Sequence, residues 1–310
     1  MRLILVTGAA GPLGRRVARA LTRRADARVH VVEDPVAAGR PPVEPSDEGS
    51  RSAAARAVLE IRPDVVLHLA TEDPAALPEE RRSGMAPVAA ARALVAAIRR
   101  AGTVTRLVLR SDGAVYGSGP RSPSVLPETW RRTLAVPARA RDLAAIEDLA
   151  AELAEHGVDV TILRLGPVLG PGSDDPLARL LRLPAVPTLL GHDPRLQPLH
   201  VDDAVGALLH AVDGVPPGVF NVAVEGSLYL SRILRLTRRL PRPLPGPAFR
   251  RSLRGLTAAG IVVPPDLVAV LRHGRVMETR AMRDELGFRP RHDGPTTILA
   301  NAASPTEDGT

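Results

Sequence analysis

The chain opens Met1-Arg-Leu-Ile-Leu-Val-Thr7-Gly8-Ala-Ala-Gly11-Pro-Leu-Gly14 and continues Arg15-Arg-Val-Ala-Arg-Ala-Leu21. Leu3 to Val6 is an apolar run of buried-strand length, and Val17, Ala20 and Leu21 recur at helical spacing, so a strand feeds a helix through a glycine turn. Glycines at 8, 11 and 14 meet three needs: a tight turn, close approach of a pyrophosphate to the backbone, and close packing of helix on sheet. The N-terminus of the helix adds free N–H groups and partial positive charge. A second apolar strand, Val29 to Val32, ends in Glu33 and Asp34. Glu33 stands where a dinucleotide fold places its ribose-binding carboxylate. Two acids there repel a 2′-phosphate, so the expected cofactor is NAD, with NADP disfavoured.

Working outward from this stretch, apolar strands alternate with helical segments. Ala53 to Ile61 reads as helix, Val65 to Ala70 as strand, Ala86 to Ala101 as helix, and Arg106 to Ser111 as strand. A proline-rich loop leads into a helix from Arg139 to His156 and a strand from Val158 to Arg164. Helices follow at Leu177 to Leu183 and Val201 to Val212, then a strand at Val219 to Ala223. This alternation predicts right-handed βαβ units, and hence an α/β fold of the Rossmann type: a doubly wound parallel sheet with a small, mostly helical C-terminal substrate lobe. Residues 1–165, rejoined by 196–226, are expected to form the dinucleotide-binding domain. Residues 166–195 and 227–300 form the lobe, and 301–310 a disordered tail.

Composition narrows the chemistry. Cysteine is absent, which removes disulfides, thiolate metal sites and a cysteine nucleophile. The eight histidines show no pair at metal-ligand spacing, and no metal is expected. All 41 basic residues are arginine, and they read as spread among the 34 acids without blocks. With few aromatics to stack on bases, no nucleic-acid partner is expected. No apolar segment reaches the length of a membrane span and no signal peptide is visible. The expectation is a cytoplasmic protein with no membrane partner that acts on a small molecule. A homodimer is compatible with it.

Several motifs, in order, resemble those of the extended short-chain dehydrogenase/reductase superfamily, in its NAD-dependent epimerase/dehydratase branch. They are Thr7 to Gly14, Asp64 to Ala70, Leu107 to Gly117, Ile162 to Pro171, Leu199 to Asp203 and Gly218 to Ala223. Within that branch, Leu183 to Gln197 and His273 to Thr279 look most like actinobacterial proteins of UDP-glucose 4-epimerase type. The resemblance implies a cofactor site formed by Gly8, Ala10, Gly11, Pro12, Leu13, Gly14, Glu33, Asp34, Leu69, Ala70 and Ser111. It also implies a nucleotide-linked sugar or other small polar metabolite as substrate.

The family's chemistry rests on a Tyr four residues before a Lys and on a Ser or Thr that bonds the substrate oxygen. Here Arg139 stands at the Tyr position, Leu143 at the Lys position and Asp112 at the hydroxyl position, with Ser111 beside it. Lysine is absent throughout, and the two tyrosines are Tyr116 and Tyr229. The Asn expected to face the substrate is replaced by Pro167. The remaining catalytic candidates are Asp112 as a base or as the cap of a turn, Tyr116 as an acid/base or a packing residue, and Arg139 as an anion clamp or a solvated residue. Pro167 and His200 are the substrate candidates, and Asp202 reads as a helix N-cap. Two classes stay open: an enzyme with non-standard catalytic residues, or an inactive dinucleotide-binding protein serving as sensor or structural element.

Overall fold

The computed structural model describes residues 1–32, 52–69, 87–130 and 137–303. The chain divides into two compact units. The first comprises Met1–Val115, Ala138–Arg164 and Val205–Phe220, and the second Tyr116–Pro137, Leu165–Ala204 and Asn221–Thr310.

The first unit is built on strands β1 (Arg2–Thr7), β2 (Ala27–Val32), β3 (Val65–His68), β4 (Arg106–Asp112) and β5 (Asp159–Leu165), with a sixth strand, Gly218–Val222. Their order in the sheet is sixth strand, β5, β4, β3, β1, β2. β1 pairs in parallel with β2 (Leu5 opposite His30) and with β3 (Leu5 opposite Val66), and β3 pairs in parallel with β4. The crossovers are helices α1 (Pro12–Thr22), α2 (Ala53–Ile61), α3 (Pro87–Ala101) and α4 (Ala138–Ala151). Alternation along the strands divides the core. Leu5, Val66, Leu107, Leu109, Val160 and Ile162 pack in one cluster with Val58, Leu94, Ile98 and Ile146 of the helices. Ile4, Val6, Leu67 and Val108, equally buried, point to the opposite face, as the period of two requires. Asp64, where the third-strand motif begins, accepts the Leu3 N–H at 2.8 Å and so fixes β1 against β3.

The elements expected from the sequence are found to within a residue or two, with two exceptions. The helix expected to reach His156 is α-helical only to Ala151 and continues as a 3-10 segment, Glu152–His156, which ends on Gly157 in the left-handed region (φ 77°). The expected tail begins too early. Helix Gly294–Ala302 runs through Asn301, which is buried and donates to the Ala178 carbonyl at 3.2 Å. A side chain that satisfies a buried carbonyl holds the chain in the second unit. Residues 304–310 lie outside the described residues.

The second unit has its own apolar core, with Leu177, Leu181, Val186, Leu189, Ile233, Leu234, Phe249, Leu253 and Leu271 in one cluster. It also contains short strands that the sequence did not announce. Ala185–Leu189 pairs in parallel with Leu240–Leu244, and Val168–Leu169 with Leu199–His200. Prolines at 187, 241 and 243 hid the first pair, since proline cannot donate to a ladder and is tolerated only at edges. Among the described residues no helix is long and apolar enough to cross a membrane.

Candidate functional site

The glycine turn joins β1 to α1. Gly8 sits at φ 76°, a conformation that L side chains rarely adopt. A Cβ on Gly14 would lie 2.6 Å from Ala9 Cα and 2.9 Å from the Gly8 carbonyl oxygen, so only glycine lets α1 start this close to the turn. Gly11 is the N-cap and offers no side-chain acceptor, and Pro12 occupies the first helical turn. The first amides of α1 therefore lack a side-chain cap, which is the state in which a helix N-terminus receives an anion. Arg15 bends back so that its guanidinium donates to the Ala10 carbonyl. Leu13 and Gly14 are buried under the turn, while Gly8, Ala10 and Pro12 are partly exposed. The described part of the site thus fits a dinucleotide pyrophosphate. Leu69, at the end of β3, is buried and donates its N–H to the Thr7 carbonyl at 2.9 Å. The other cofactor candidates, Glu33, Asp34 and Ala70, lie outside the described residues.

Beneath this turn the side chains of Thr7 and His68 meet, with Thr7 Oγ1 2.7 Å from His68 Nδ1. His68 is completely buried, and that burial pushes its pKa down to about 4, because an imidazolium loses its hydration there. Its Nε2 has no hydrogen-bond partner among the described residues.

At the end of β4, two adjacent residues are both engaged by α4. Ser111 donates to Glu147 Oε1 at 2.6 Å, and Arg164 of β5 grips the same carboxylate through Nε (3.0 Å) and Nη2 (2.6 Å). Glu147 and Arg164 are each only 2% exposed, so this is a fully desolvated, bidentate pair with a hydroxyl completing its shell. Asp112 accepts the Ala114 N–H at 2.6 Å on one oxygen and an Arg139 N–H on the other. Asp112 thus caps the 3-10 turn Gly113–Tyr116, as one of its two readings has it, and also holds the arginine. Between these two links lies Leu143, buried and apolar, at the position where the resemblance expects Lys. Arg139, Leu143 and Glu147 follow one another at four-residue spacing, which places them along one stripe of α4.

The other candidates belong to the second unit. Tyr116 is 1% exposed and its hydroxyl donates to Asn221 Oδ1 at 2.6 Å. Asn221 in turn donates to the carbonyls of Leu126 (3.1 Å) and Glu278 (3.0 Å), and its N–H reaches Glu128 Oε1 (3.1 Å). The phenol is a buried strut. Pro167 accepts the Leu199 N–H on its carbonyl at 2.8 Å, and the pairing of Val168–Leu169 with Leu199–His200 brings it near His200. Gly170 is kept small there, since a Cβ would lie 3.2 Å from His200 Nε2.

The cap of the helix Val201–Gly214 departs from the sequence reading. His200 Nδ1 accepts the Asp202 N–H at 3.2 Å, so the imidazole is the cap and Asp202 sits inside the first turn, largely exposed. A residue already helical cannot turn its own side chain onto the amides ahead of it. Asp203, which sequence reasoning passed over, is the structural anchor. It is 2% exposed and accepts the N–H groups of Arg291 (2.9 Å) and His292 (3.0 Å), with His292 Nδ1 at 2.9 Å.

His200 and His292, far apart in sequence, stack with centroids 3.8 Å apart and planes at 19°. With Asp202 they bring three potential ligand atoms within 4.8 Å of one another. Stacked rings, however, direct their in-plane lone pairs side by side and not toward a common point. His200 Nδ1 and His292 Nδ1 already serve Asp202 and Asp203. The cluster is a packed pair as it stands.

A glycine turn after β1, parallel strands in this order and motifs through the sixth strand define a pattern that can be compared with known proteins. A model of the NAD dependent epimerase/dehydratase family matches residues 4–223. The chain belongs to this family. An uncharacterized protein of Mycobacterium tuberculosis is 40% identical over 204 residues, which is 64% of this chain and 54% of that protein. The chain thus spans about half the length of the mycobacterial relatives it matches. The 3-diazoavenalumate denitrifying reductase of a Streptomyces species is 31% identical over 245 residues, 71% of this chain and 75% of that enzyme. Among solved structures, the UDP-glucose 4-epimerase of Thermotoga maritima with UDP-glucose aligns with a TM-score of 0.70 at 21% identity, covering 97% of each chain. The UDP-glucose 4-epimerase of Thermus thermophilus in complex with NAD gives 0.68 at 21% identity, again covering 97% of each. At that identity the likeness is one of fold.

Proposed function

We propose that this family member binds NAD at the Gly8–Gly14 turn and has given up the phenolate chemistry of sugar epimerisation, serving as a dinucleotide- and small-ligand-binding protein. The supporting observation is the Asp112–Arg139 pair. NAD, when bound, supplies a hydride acceptor. Withdrawing a hydride from a sugar carbinol also requires a base for the hydroxyl proton. Arg139 is permanently protonated and cannot take it. Asp112 is held by that arginine and by a backbone amide, so accepting a proton would cost it the ion pair. Ser111 is committed to Glu147, and Leu143 brings no charge. The test is calorimetric titration with NAD, NADH, NADP and NADPH, followed by nucleotide sugars on the NAD-loaded protein while cofactor absorbance is followed. NAD binding with neither an absorbance change nor an epimerised sugar product supports the reading.

A second reading is favoured by the Streptomyces relative, whose name is that of a denitrifying reductase of a diazo compound. A hydride delivered to an electrophile that carries its own leaving group balances charge as that group departs, with no proton from the protein. A site without Tyr and Lys meets that requirement. Oxidation of NADH by a diazo-substituted arene, with one dinitrogen released per NADH, would decide for it.

A further inference from the structure

The sequence reads as though its positive charge were diffuse, and the placement of acids corrects this. Residues 226–265 contain eight of the 41 arginines and none of the 34 acidic residues. The other 270 residues therefore hold 33 arginines against 34 acids, and the chain's entire net charge of +7 comes from this one stretch.

The stretch folds within the second unit as helix Leu230–Leu236, strand Leu240–Leu244 and helix Gly246–Ala258. Each helix buries its apolar side, Ile233 and Leu234 in the first, Phe249 and Leu253 in the second, against the same core as the strand Ala185–Leu189. The arginines are left outside. Arg232, Arg235, Arg238, Arg242, Arg250, Arg251 and Arg254 are exposed and Arg239 is half-buried. None of the eight guanidinium groups has a hydrogen-bond or ion-pair partner among the described residues. Positive charge at this density, over a helix about 20 Å long and a strand about 17 Å long, is too broad for a small anion. It calls for an extended anionic partner.

Exposed apolar side chains choose among such partners. Leu240 (69% exposed) begins the exposed strand and Leu190 (60%) follows its partner strand, so the two bracket the small sheet that lies between the arginines. A phosphodiester duplex has no use for exposed leucines, and aromatic side chains that stack on bases are scarce here, with Tyr229 at the margin. A bilayer surface takes both kinds of group, arginine at the headgroups and leucine at the acyl boundary. We infer that the arginine-rich face of residues 230–254 adsorbs to anionic lipid membranes. The expectation of no membrane partner rested on the lack of a spanning segment, which peripheral adsorption does not need.

The test is sedimentation of the full chain with vesicles of phosphatidylcholine alone and of phosphatidylcholine mixed equally with phosphatidylglycerol, at about 0.15 M salt. The protein should pellet with the mixed vesicles only. Replacing three arginines together, Arg250→Ser, Arg251→Ser and Arg254→Ser, should lower partitioning about 100-fold, and Leu240→Ser should lower it as well. Should the triple variant fail to fold, as judged by circular dichroism, Leu240→Ser alone decides. The proposal is overturned if the wild-type chain stays in the supernatant with the mixed vesicles. It is equally overturned if Leu240→Ser leaves vesicle binding unchanged while a DNA duplex binds more tightly than the vesicles, which would assign the face to nucleic acid.

Discussion

Arg139 donates to the carboxylate of Asp112 across 27 residues of sequence, and the other oxygen of that carboxylate accepts the Ala114 N–H. The residues that the resemblance puts at the Tyr and Ser/Thr positions are thus bonded to each other. A pair that is part-buried, at 16% and 24% side-chain exposure, is shielded from solvent more than a surface salt bridge and less than a core one.

Breaking that pair should expose its worth. Arg139→Gln leaves a partly buried carboxylate short of a partner and should destabilise the protein by about 1–3 kcal/mol. Asp112→Asn in the same chain should recover part of the loss, because the charge that has lost its arginine is gone. Urea unfolding of the four members of the cycle gives the coupling. Additive effects would mean that the pair contributes nothing.

The buried link from Ser111 through Glu147 to Arg164 should matter more. Glu147→Ala takes the bidentate carboxylate from an arginine that is 2% exposed and should cost about 3–5 kcal/mol. Ser111→Ala removes one hydrogen bond and should cost about 1 kcal/mol. Thermal unfolding separates the two.

Gly14→Ala should damage cofactor binding and stability together. The added methyl meets backbone at 2.6 Å, so the turn must shift, at about 1–3 kcal/mol. Calorimetry should show NAD affinity falling in parallel. Retained affinity at wild-type stability would place the dinucleotide elsewhere.

His68 predicts an acid-side loss of stability. Its folded pKa lies below the ordinary value of 6.5, at about 4. Between these values the unfolded chain binds a proton that the folded chain refuses, so stability falls as pH drops from 6.5 to 4 and levels off below. At about 1.4 kcal/mol per unit, the loss reaches about 3 kcal/mol. Replacing the imidazole, as in His68→Gln, should flatten this part of the profile. Denaturant midpoints at pH 7 and pH 5 in both proteins check it.

The parts of this structure that depend on local pattern were legible in the sequence. The β1–turn–α1 unit and the alternation of strands and helices follow from periodicity and glycine spacing, and the absence of lysine from composition. What depends on pairing across long separations was not. The ring stack of His200 on His292 and the anchoring of residues 291 and 292 by Asp203 join segments about 90 residues apart, and no spacing rule reaches that far. The Glu147–Arg164 pair lay unread because charged residues on a helix and a strand are presumed to face solvent. The misassigned cap at Asp202 turned on a one-residue shift in where the helix starts, which only backbone geometry reveals.

The most direct test of the central claim is a single-turnover measurement on the NAD-loaded protein. Excess UDP-glucose is added, and both the absorbance of reduced nicotinamide and the formation of the 4-epimer, UDP-galactose, are followed, since an epimerase returns its hydride and leaves no net reduced cofactor. The closed Asp112–Arg139 pair predicts that NAD-loaded protein forms neither reduced cofactor nor epimer over the time in which an ordinary enzyme, at about 10 turnovers per second, would have finished. Reduction of the bound NAD or appearance of the epimer on that timescale would contradict it, and would show that this site removes a hydroxyl proton.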